Sequence, residues 1–395
     1  MVAPRYRIDD RLLEWATPRQ REYVEAINKH HSIRAAARAC GVHFTAVVHA
    51  ITSLERRAAV YGYSPRHDLS KPVAPGQILR GASTLYRRGE PEPVLQWVKS
   101  RADDEQRERI IREAVRALAE DVKGLAPTVS APARTATDLL SVYPLGDPHF
   151  GLYAWAREVG ADFDLSIARR LTLAAIDRLV EASPCSETAL ILPLGDVFHM
   201  DDQSNQTPAH KHQLDADGRF VKVLEVGIQT FRHAVLRALE KHANVVVRFV
   251  GGNHDPHAIW SLAFSIAAYF EKEPRVTVDL SPGAHWFYRF GSVLIGATHG
   301  DKTKHPQLLG VMAADRSADW GETRHRYFYT GHVHNQIVTE LPGLVCESFR
   351  TLAARDAYAD GAGYRAGRDM RLIVHHRDHG EVERHRCDVG MIDPQ

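Results

Sequence analysis

The sequence predicts an α/β fold for residues 138–395, preceded by a separate all-α domain. Three observations support this. From residue 139 onward, apolar strand-like segments alternate with helical ones, a pattern typical of a largely parallel sheet. Residues 1–100 carry 16 Lys and Arg against 9 Asp and Glu, whereas the rest of the chain carries 34 against 40. Residues 124–137 are rich in Pro, Ala, Ser and Thr, which is the composition of a linker.

Overall composition excludes several classes of protein. With 395 residues, 44% of them hydrophobic and 25% charged, the chain has the composition of a globular protein and not of a disordered or fibrous one. It has no apolar run of about 20 residues, and its first ten residues lack the apolar core of a signal peptide. The four cysteines are scattered singly, which excludes a zinc ribbon. We therefore expect a cytoplasmic protein without a membrane partner.

The N-terminal segment, residues 1–70, has the pattern of a helix-turn-helix module. Thr17 and Pro18 are typical of the N-cap and first turn of a helix, and a short Ala-rich helix is predicted after Ser32. A third helix is predicted over Phe44–Val60, after a turn at Gly41. The segment resembles the modules of transcription factors and small phage DNA-binding proteins. The alternative is a helical cap with a purely structural role.

A DNA-binding role assigns specific contacts to this basic segment. The third helix would present His43, Thr45 and His49 to a groove, and arginines would contact phosphates. Residues 71–123 are predicted as a hairpin and a connecting helix, with Trp97 as a core anchor rather than a base-stacking platform. The basic side chains assigned to the nucleic-acid backbone are Arg34, Arg38, Arg56, Arg57, Arg87, Arg88 and Lys99.

Five apolar strand-like segments in residues 138–395 end in polar signatures. Carboxylate, amide or imidazole groups follow each of them, and the carboxyl ends of parallel strands meet at one edge of a sheet, where ligands bind. We therefore expect these groups to converge. The signatures are Gly146–His149 (GDPH), Gly195–Asp196 (GD), Gly251–Asp255 (GGNHD), Thr298–Asp301 (THGD) and Gly331–His334 (GHVH).

In this order, the signatures resemble those of the calcineurin-like metallophosphoesterase superfamily, over about residues 139–388. The stretch after Asp196 (VFHMDDQSN) resembles the phage and prophage branch, and the GDxVDRG signature of the protein phosphatases is absent. The resemblance implies a four-layer α/β/β/α sandwich around a binuclear metal site. For a phage-encoded enzyme it also implies the cytoplasm of the bacterial host.

The resemblance also implies roles for individual residues. Asp147, His149 and His334 resemble ligands of a first metal ion, Asn253, His299 and His332 resemble those of a second, and Asp196 resembles the bridging carboxylate. His254 resembles the acid that protonates the leaving oxygen, with Asp255 fixing its tautomer. His199, Asp202 and Asn205 are assigned to the substrate cleft. Imidazole and carboxylate ligands favour Mn²⁺, with Fe, Zn, Ni or Mg as alternatives.

Taken together, the two halves predict a phosphodiesterase that acts on nucleic acid, DNA in the first place, as a nuclease or end-processing enzyme. A hydroxide bridging the two ions would attack phosphorus. The alternatives are a phosphoesterase of small molecules or cyclic nucleotides, and an inactive DNA-binding regulator. The sequence leaves the oligomeric state open, with a homo-oligomer as one alternative because nucleases of this superfamily often pair.

The C-terminal histidines lie in an alternating, Arg-rich stretch. This stretch predicts an exposed edge strand and not a second metal site. The residues concerned are His375, His376, His379 and His385.

Overall fold

The computed structural model describes residues 6–67, 69, 72–73, 77–87, 93–102 and 123–393. The chain divides into two compact units, Met1–Ile111 and Arg112–Gln395. Arg88 and most of the connecting helix predicted after residue 100 lie outside the described residues. Among the described residues no helix is long and apolar enough to cross a membrane.

Among its described residues, the first unit contains the α-helices α1 (Pro18–His30), α2 (Ile33–Ala39) and α3 (Phe44–Val60). Thr17 caps α1 with a capping box, and the Ser32 side chain caps α2. Apolar side chains at helical spacing, such as Val24, Ile27 and Leu54, form one buried core. On α3, Val47 is fully buried and Val48 beside it is 38% exposed.

An antiparallel hairpin follows α3 in the first unit. It pairs β1 (Gln77–Tyr86) with β2 (Pro93–Ala102), as the sequence predicted. Trp97 is 54% exposed, so the prediction of a core anchor is wrong. In the register of the hairpin, Trp97 pairs with Ser83, which is too small to cover an indole.

The second unit contains two sheets. The larger has the order β13-β12-β3-β4-β5-β6 and is parallel from β3 to β6. Its strands are β3 (Ala136–Leu145), β4 (Ser186–Pro193), β5 (Asn244–Arg248), β6 (Val276–Asp279), β12 (Asp369–His376) and β13 (Gly380–Asp388).

The smaller sheet has the order β10-β11-β9-β8-β7, with β8, β9 and β11 parallel. The alternating segments predicted a largely parallel sheet and the resemblance implied two sheets between layers of helices; the described part of this unit has two sheets, of five and six strands. The strands are β7 (Trp286–Phe290), β8 (Val293–Ala297), β9 (His325–Thr330), β10 (Ile337–Leu341) and β11 (Leu344–Ser348).

Apolar side chains form three clusters that order the second unit in layers. One cluster joins inward side chains of both sheets, such as Leu192 and Ile295. A second cluster joins the larger sheet to helices, and a third joins the smaller sheet to the helix His305–Asp315. The unit is therefore a mixed α/β structure with helices outside both sheets. The helices are α4 (Ala156–Val159), α5 (Leu165–Ala182), α6 (Phe220–Lys241), α7 (Ala258–Tyr269), α8 (His305–Asp315), α9 (Ser317–Glu322), α10 (Ala357–Gly361) and α11 (Val389–Ile392).

The C-terminal strands differ from the sequence prediction. β12 is an interior strand between β3 and β13, and β13 is the edge. His375 on β12 is fully buried and lies 2.8 Å from the Tyr329 hydroxyl. Burial lowers the pKa of His375 to about 3, so its imidazole is neutral at neutral pH.

Candidate metal centre

The predicted metal ligands lie at the carboxyl ends of five strands. Neighbouring parallel strands β3, β4 and β5 end at the same edge of the larger sheet, and β8 and β9 do so in the smaller sheet. Hydrogen bonds between the loops hold these edges together, for example from the His332 amide to Asp147 Oδ2 at 2.8 Å. The residues that follow the strand ends are Asp147, His149, Asp196, Asn253, His254, His299, His332 and His334.

The backbone at these residues is strained. A non-glycine residue rarely adopts positive φ, and such conformations cluster at functional sites at a cost of about 1–3 kcal/mol each. Among the described residues, eight non-glycine residues have positive φ, and five of these are predicted ligands. The surrounding structure therefore enforces unfavourable backbone at this site. The five are Asp147, His149, Asp196, His332 and His334, with φ from 42° to 68°.

One group of side chains surrounds Asp196. The His299 Nε2 atom lies 3.2 Å from Asp196 Oδ2 and 3.0 Å from Asn253 Oδ1. His332 contacts the His299 ring, with ring centroids 5.0 Å apart. Asp196, His299 and His332 offer ligand atoms that all lie within 4.8 Å of one another. These residues could hold one cation.

A second group surrounds His149. The Nε2 atoms of His149 and His334 are 3.1 Å apart, and His334 Nε2 lies 3.8 Å from Asp147 Oδ2. His149, His199 and His254 also offer ligand atoms within 4.8 Å of one another. His199, which the sequence assigned to the cleft, is therefore buried among the predicted ligands. The sequence feature that could have indicated this is the position of His199, three residues after Asp196.

Two glycines allow the ligand groups to approach the backbone closely. A Cβ atom at Gly252 would lie 2.0 Å from Asp196 Oδ1, and one at Gly195 would lie 2.3 Å from His299 Nδ1. Gly195 also has a φ of 99°, which disfavours any side chain. Glycine is therefore required at both positions by the site itself.

The electrostatics of the site match those of a metal centre. Burial lowers the pKa of His199 to about 3 and that of His334 to about 4, so both rings are neutral and can offer lone pairs. Burial opposes a charged His299, but the carboxylates of Asp196 and Asp147 outweigh it and raise its pKa to about 10. A cation between these carboxylates would take over the role of that proton.

Two buried polar atoms also fit a cation. Asp147 Oδ1 and His199 Nε2 are buried and have no hydrogen-bond partner. Buried polar atoms are normally satisfied, and an exception requires an explanation such as a bound ion. With carboxylate, amide and imidazole groups converging on them, the donor set suits a divalent first-row metal. The residues present therefore fit the pair of divalent metal ions that the sequence implies.

Asp255 does not hold His254, contrary to the sequence prediction. The Asp255 carboxylate accepts hydrogen bonds from the amides of Phe198 and Gly252, both at 3.0 Å. The His254 Nδ1 atom instead lies 2.9 Å from the carbonyl oxygen of His199. A carbonyl only accepts, so Nδ1 carries a proton. Asp255 orders the loop, and the main chain of His199 fixes the tautomer.

The remaining cleft residues lie in the loop between Asp196 and α6. The Asp202 carboxylate accepts a hydrogen bond from the Ser204 amide at 2.7 Å, and the Asn205 carbonyl accepts one from the Leu214 amide at 2.9 Å. Both contacts shape the loop itself. Contact of Asp202 and Asn205 with substrate therefore stays a prediction.

In the first unit, most predicted nucleic-acid contacts are exposed. His43 and Thr45 join through a 2.8 Å hydrogen bond between their side chains. Arg57 differs, because its guanidinium donates to the Trp15 carbonyl at 2.8 Å and is used within the unit. The exposed residues are Arg34, Arg38, His43, Thr45, His49, Arg56, Arg87 and Lys99.

No protein-family model matches the sequence, and no curated protein matches it. Solved structures show weak overall similarity. A predicted phosphoesterase from Streptococcus pneumoniae TIGR4 is 12% identical with a TM-score of 0.27, covering 64% of this chain and 99% of that one. An archaeal phosphodiesterase is 12% identical with a TM-score of 0.30, over 63% and 99%. Vps29 from Entamoeba histolytica, complexed with Zn²⁺, is 15% identical with a TM-score of 0.26, over 63% and 99%.

Proposed function

We propose that the second unit is a phosphodiesterase that acts on nucleic acid and uses two divalent cations, with Mn²⁺ as the preferred ion. One observation carries the proposal. Side chains of ligand type from five strand ends meet in one partly buried cluster, and five of them stand on left-handed backbone. Strain of this kind persists where the surrounding structure over-determines it, and it marks functional sites.

The cluster divides naturally into two cation sites. Asp147, His149 and His334 would hold one cation, and Asp196 would be shared with the other. Asn253, His299 and His332 complete the second site. When bound, the two cations would supply positive charge that stabilises the phosphoryl group in the transition state and favours ionisation of an attacking water.

His254 would act as the general acid. Because its Nδ1 atom donates to the His199 carbonyl, Nε2 is the nitrogen left for proton exchange with the leaving oxygen. The His254 amide also donates to Asp196 Oδ1 at 2.8 Å, which fixes the acid relative to the shared carboxylate. The ring stacks on His199 with centroids 5.2 Å apart, which restricts its orientation.

Polynucleotide as substrate is supported by the first unit. The first 100 residues have an excess of seven positive charges, and their exposed arginines include Arg34, Arg38 and Arg56. Positive charge of this kind supplies sequence-independent affinity for phosphate backbones. A nuclease or end-processing enzyme requires both an active site for phosphodiesters and a surface that binds nucleic acid, and this chain combines such a site with a basic unit.

Metal removal tests the proposal. The full-length protein with Mn²⁺ should hydrolyse bis-p-nitrophenyl phosphate, and EDTA should abolish the release of p-nitrophenolate until Mn²⁺ is added back. Asp196→Asn should lower the turnover at least 100-fold, because it removes charge shared by both cations.

Asp177→Asn is the matched control for Asp196→Asn. This carboxylate lies on α5, where it pairs with Arg237 at 3.0 Å, and the substitution should leave turnover unchanged. Undiminished hydrolysis after complete chelation would refute the proposal.

A further inference from the structure

An exposed aromatic surface lies beside the metal centre. It consists of Tyr153, Trp155, Tyr358 and Tyr364, which are 48%, 48%, 72% and 50% exposed. Within the described part of the second unit, these are the exposed aromatic side chains. Large aromatic rings gain most from burial, so four exposed rings on two adjacent segments indicate a binding surface.

One arginine ties the two segments of this surface together. The Arg355 guanidinium donates to the Val159 carbonyl at the end of α4, at 2.9 Å, and to the Tyr364 carbonyl at 3.4 Å. Helix α4 also packs against α10, which carries Tyr358. The four rings therefore belong to one continuous part of the structure.

The same two segments lead directly from the metal centre. Tyr153 and Trp155 follow His149 by four and six residues, and the Leu152 amide donates to the His149 carbonyl at 3.0 Å. On the other segment, the Thr351 hydroxyl donates to the Asp147 carbonyl at 2.6 Å. A chain of nucleotides leaving the site in this direction would meet the aromatic surface.

The acidic side chains around the rings are mostly engaged in hydrogen bonds or ion pairs within the structure. Asp162 accepts a hydrogen bond from the Ala156 amide, Asp356 caps α10, and Asp360 lies 3.2 Å from Arg365. The Arg157 guanidinium lies 5.5 Å from the centre of the Trp155 ring, and Glu158 beside it is also exposed. Four acidic side chains and three arginines, counting Arg355, therefore lie around the rings, so the surface has no excess of positive charge and we expect stacking rather than attraction to phosphates.

We propose that the aromatic surface binds the unpaired bases of a single-stranded polynucleotide whose backbone occupies the metal centre. The proposal rests on the proposed function and names its substrate class. Every base presents a π-face, and base–aromatic stacking contributes substantial, sequence-tolerant affinity. In a duplex these faces are already stacked on neighbouring bases, so the surface distinguishes single strands from double strands.

Binding by full-length variants tests this inference. The dissociation constant of a fluorescein-labelled oligothymidylate is measured by fluorescence anisotropy in EDTA, so that no hydrolysis occurs. Trp155→Ala and Tyr358→Ala should each weaken binding about 10-fold, and the loss should be similar at low and high salt. Trp155→Phe should bind nearly as well as the wild type, because phenylalanine still stacks.

Controls separate this inference from the proposed function. Val382→Ala removes an apolar side chain exposed to a similar extent, at 51%, on the edge strand β13, and it should leave binding unchanged. Hydrolysis of bis-p-nitrophenyl phosphate should be normal in all four variants. Unchanged oligothymidylate binding by both alanine variants, or an equal loss for a blunt duplex, would overturn the inference. Failure of the wild type to hydrolyse the diester would instead contradict the proposed function.

Discussion

At the scale of single residues, the convergence of the predicted ligands could be expected because each of them follows a strand closely. Strand direction then determines where the side chain must lie, without knowledge of tertiary packing. Asp255 shows the limit of this reasoning. Adjacency in sequence predicted a contact with His254, but the backbone turn directs the carboxylate to the Phe198 and Gly252 amides. His199 became recognisable as a member of the cluster only once its burial and its contact with His149 were known.

The role of His254 gives a prediction that depends on the leaving group. His254→Asn should lower turnover of a diester with an alkyl alcohol leaving group at least 100-fold, because an alkoxide must be protonated as it departs. Turnover of a p-nitrophenyl diester should fall far less, since p-nitrophenolate leaves without a proton. Both rates are measured in the same Mn²⁺ buffer.

His257→Asn is the matched control for this comparison. His257 lies three residues further along, where the Asp201 carboxylate contacts its ring nitrogen, and it belongs to neither group of ligands. Its replacement should change both rates equally or not at all. An equal fall for both substrates in His254→Asn, with loss of Mn²⁺ affinity, would show that His254 is a ligand and not the acid.

At the scale of elements, periodicity predicted the helices well and strand neighbours poorly. A helix is defined by local spacing, so Phe44–Val60 was predicted with the bounds that α3 has. The place of a strand in a sheet depends on distant segments. The alternating stretch that forms β12 and β13 predicted an edge strand, but β12 pairs with β3 and buries His375. The exposure of Trp97 has the same cause, because a two-stranded hairpin has no layer of its own to cover it.

A buried ion pair between strands gives the prediction at this scale. Glu347 on β11 is 2% exposed and accepts two hydrogen bonds from Arg384 on β13, at 2.7 and 2.8 Å. The pair thus joins the smaller sheet to the larger one. Arg384 also pairs with Glu381 at 2.7 Å, so Glu347→Gln leaves the guanidinium with one carboxylate and should lower the free energy of unfolding by about 1–3 kcal/mol.

Urea denaturation followed by circular dichroism measures this loss. Glu383→Gln is the matched control, because the Glu383 side chain on the same edge strand as Arg384 is 50% exposed. Exposed ion pairs contribute roughly 0–1 kcal/mol, so the control should unfold near the wild-type midpoint. Similar midpoints for both variants would mean that Glu347 does not hold the sheets together.

At the scale of the whole molecule, charge divides the chain as clearly as structure does. Residues 1–100 are basic and the remainder is acidic, and the chain forms two compact units. Composition indicated two parts because a linker and a change of sign are local features, but it put the linker at residues 124–137, whereas the units divide between Ile111 and Arg112. It could not predict that residues 124–137 are part of the second unit, where the Gly124 amide donates to the Ala268 carbonyl at 2.8 Å. Such a contact depends on the folded surface of α7.

The division of charge predicts that duplex affinity and catalysis can be separated. Arg34 and Arg38 are exposed on α2, and each phosphate contact contributes about 0.9 to the slope of log K against log salt. Replacing both by alanine should reduce that slope for a DNA duplex by about two, without changing hydrolysis of the small diester. Arg7→Ala with Arg11→Ala is the matched control, since both arginines are exposed in the same unit but lie beside Asp10 and Asp9. If both pairs of substitutions reduced the slope equally, α2 would contribute to duplex binding only through the net charge of the unit. If replacing Arg34 and Arg38 left the slope unchanged, the duplex would not bind at α2.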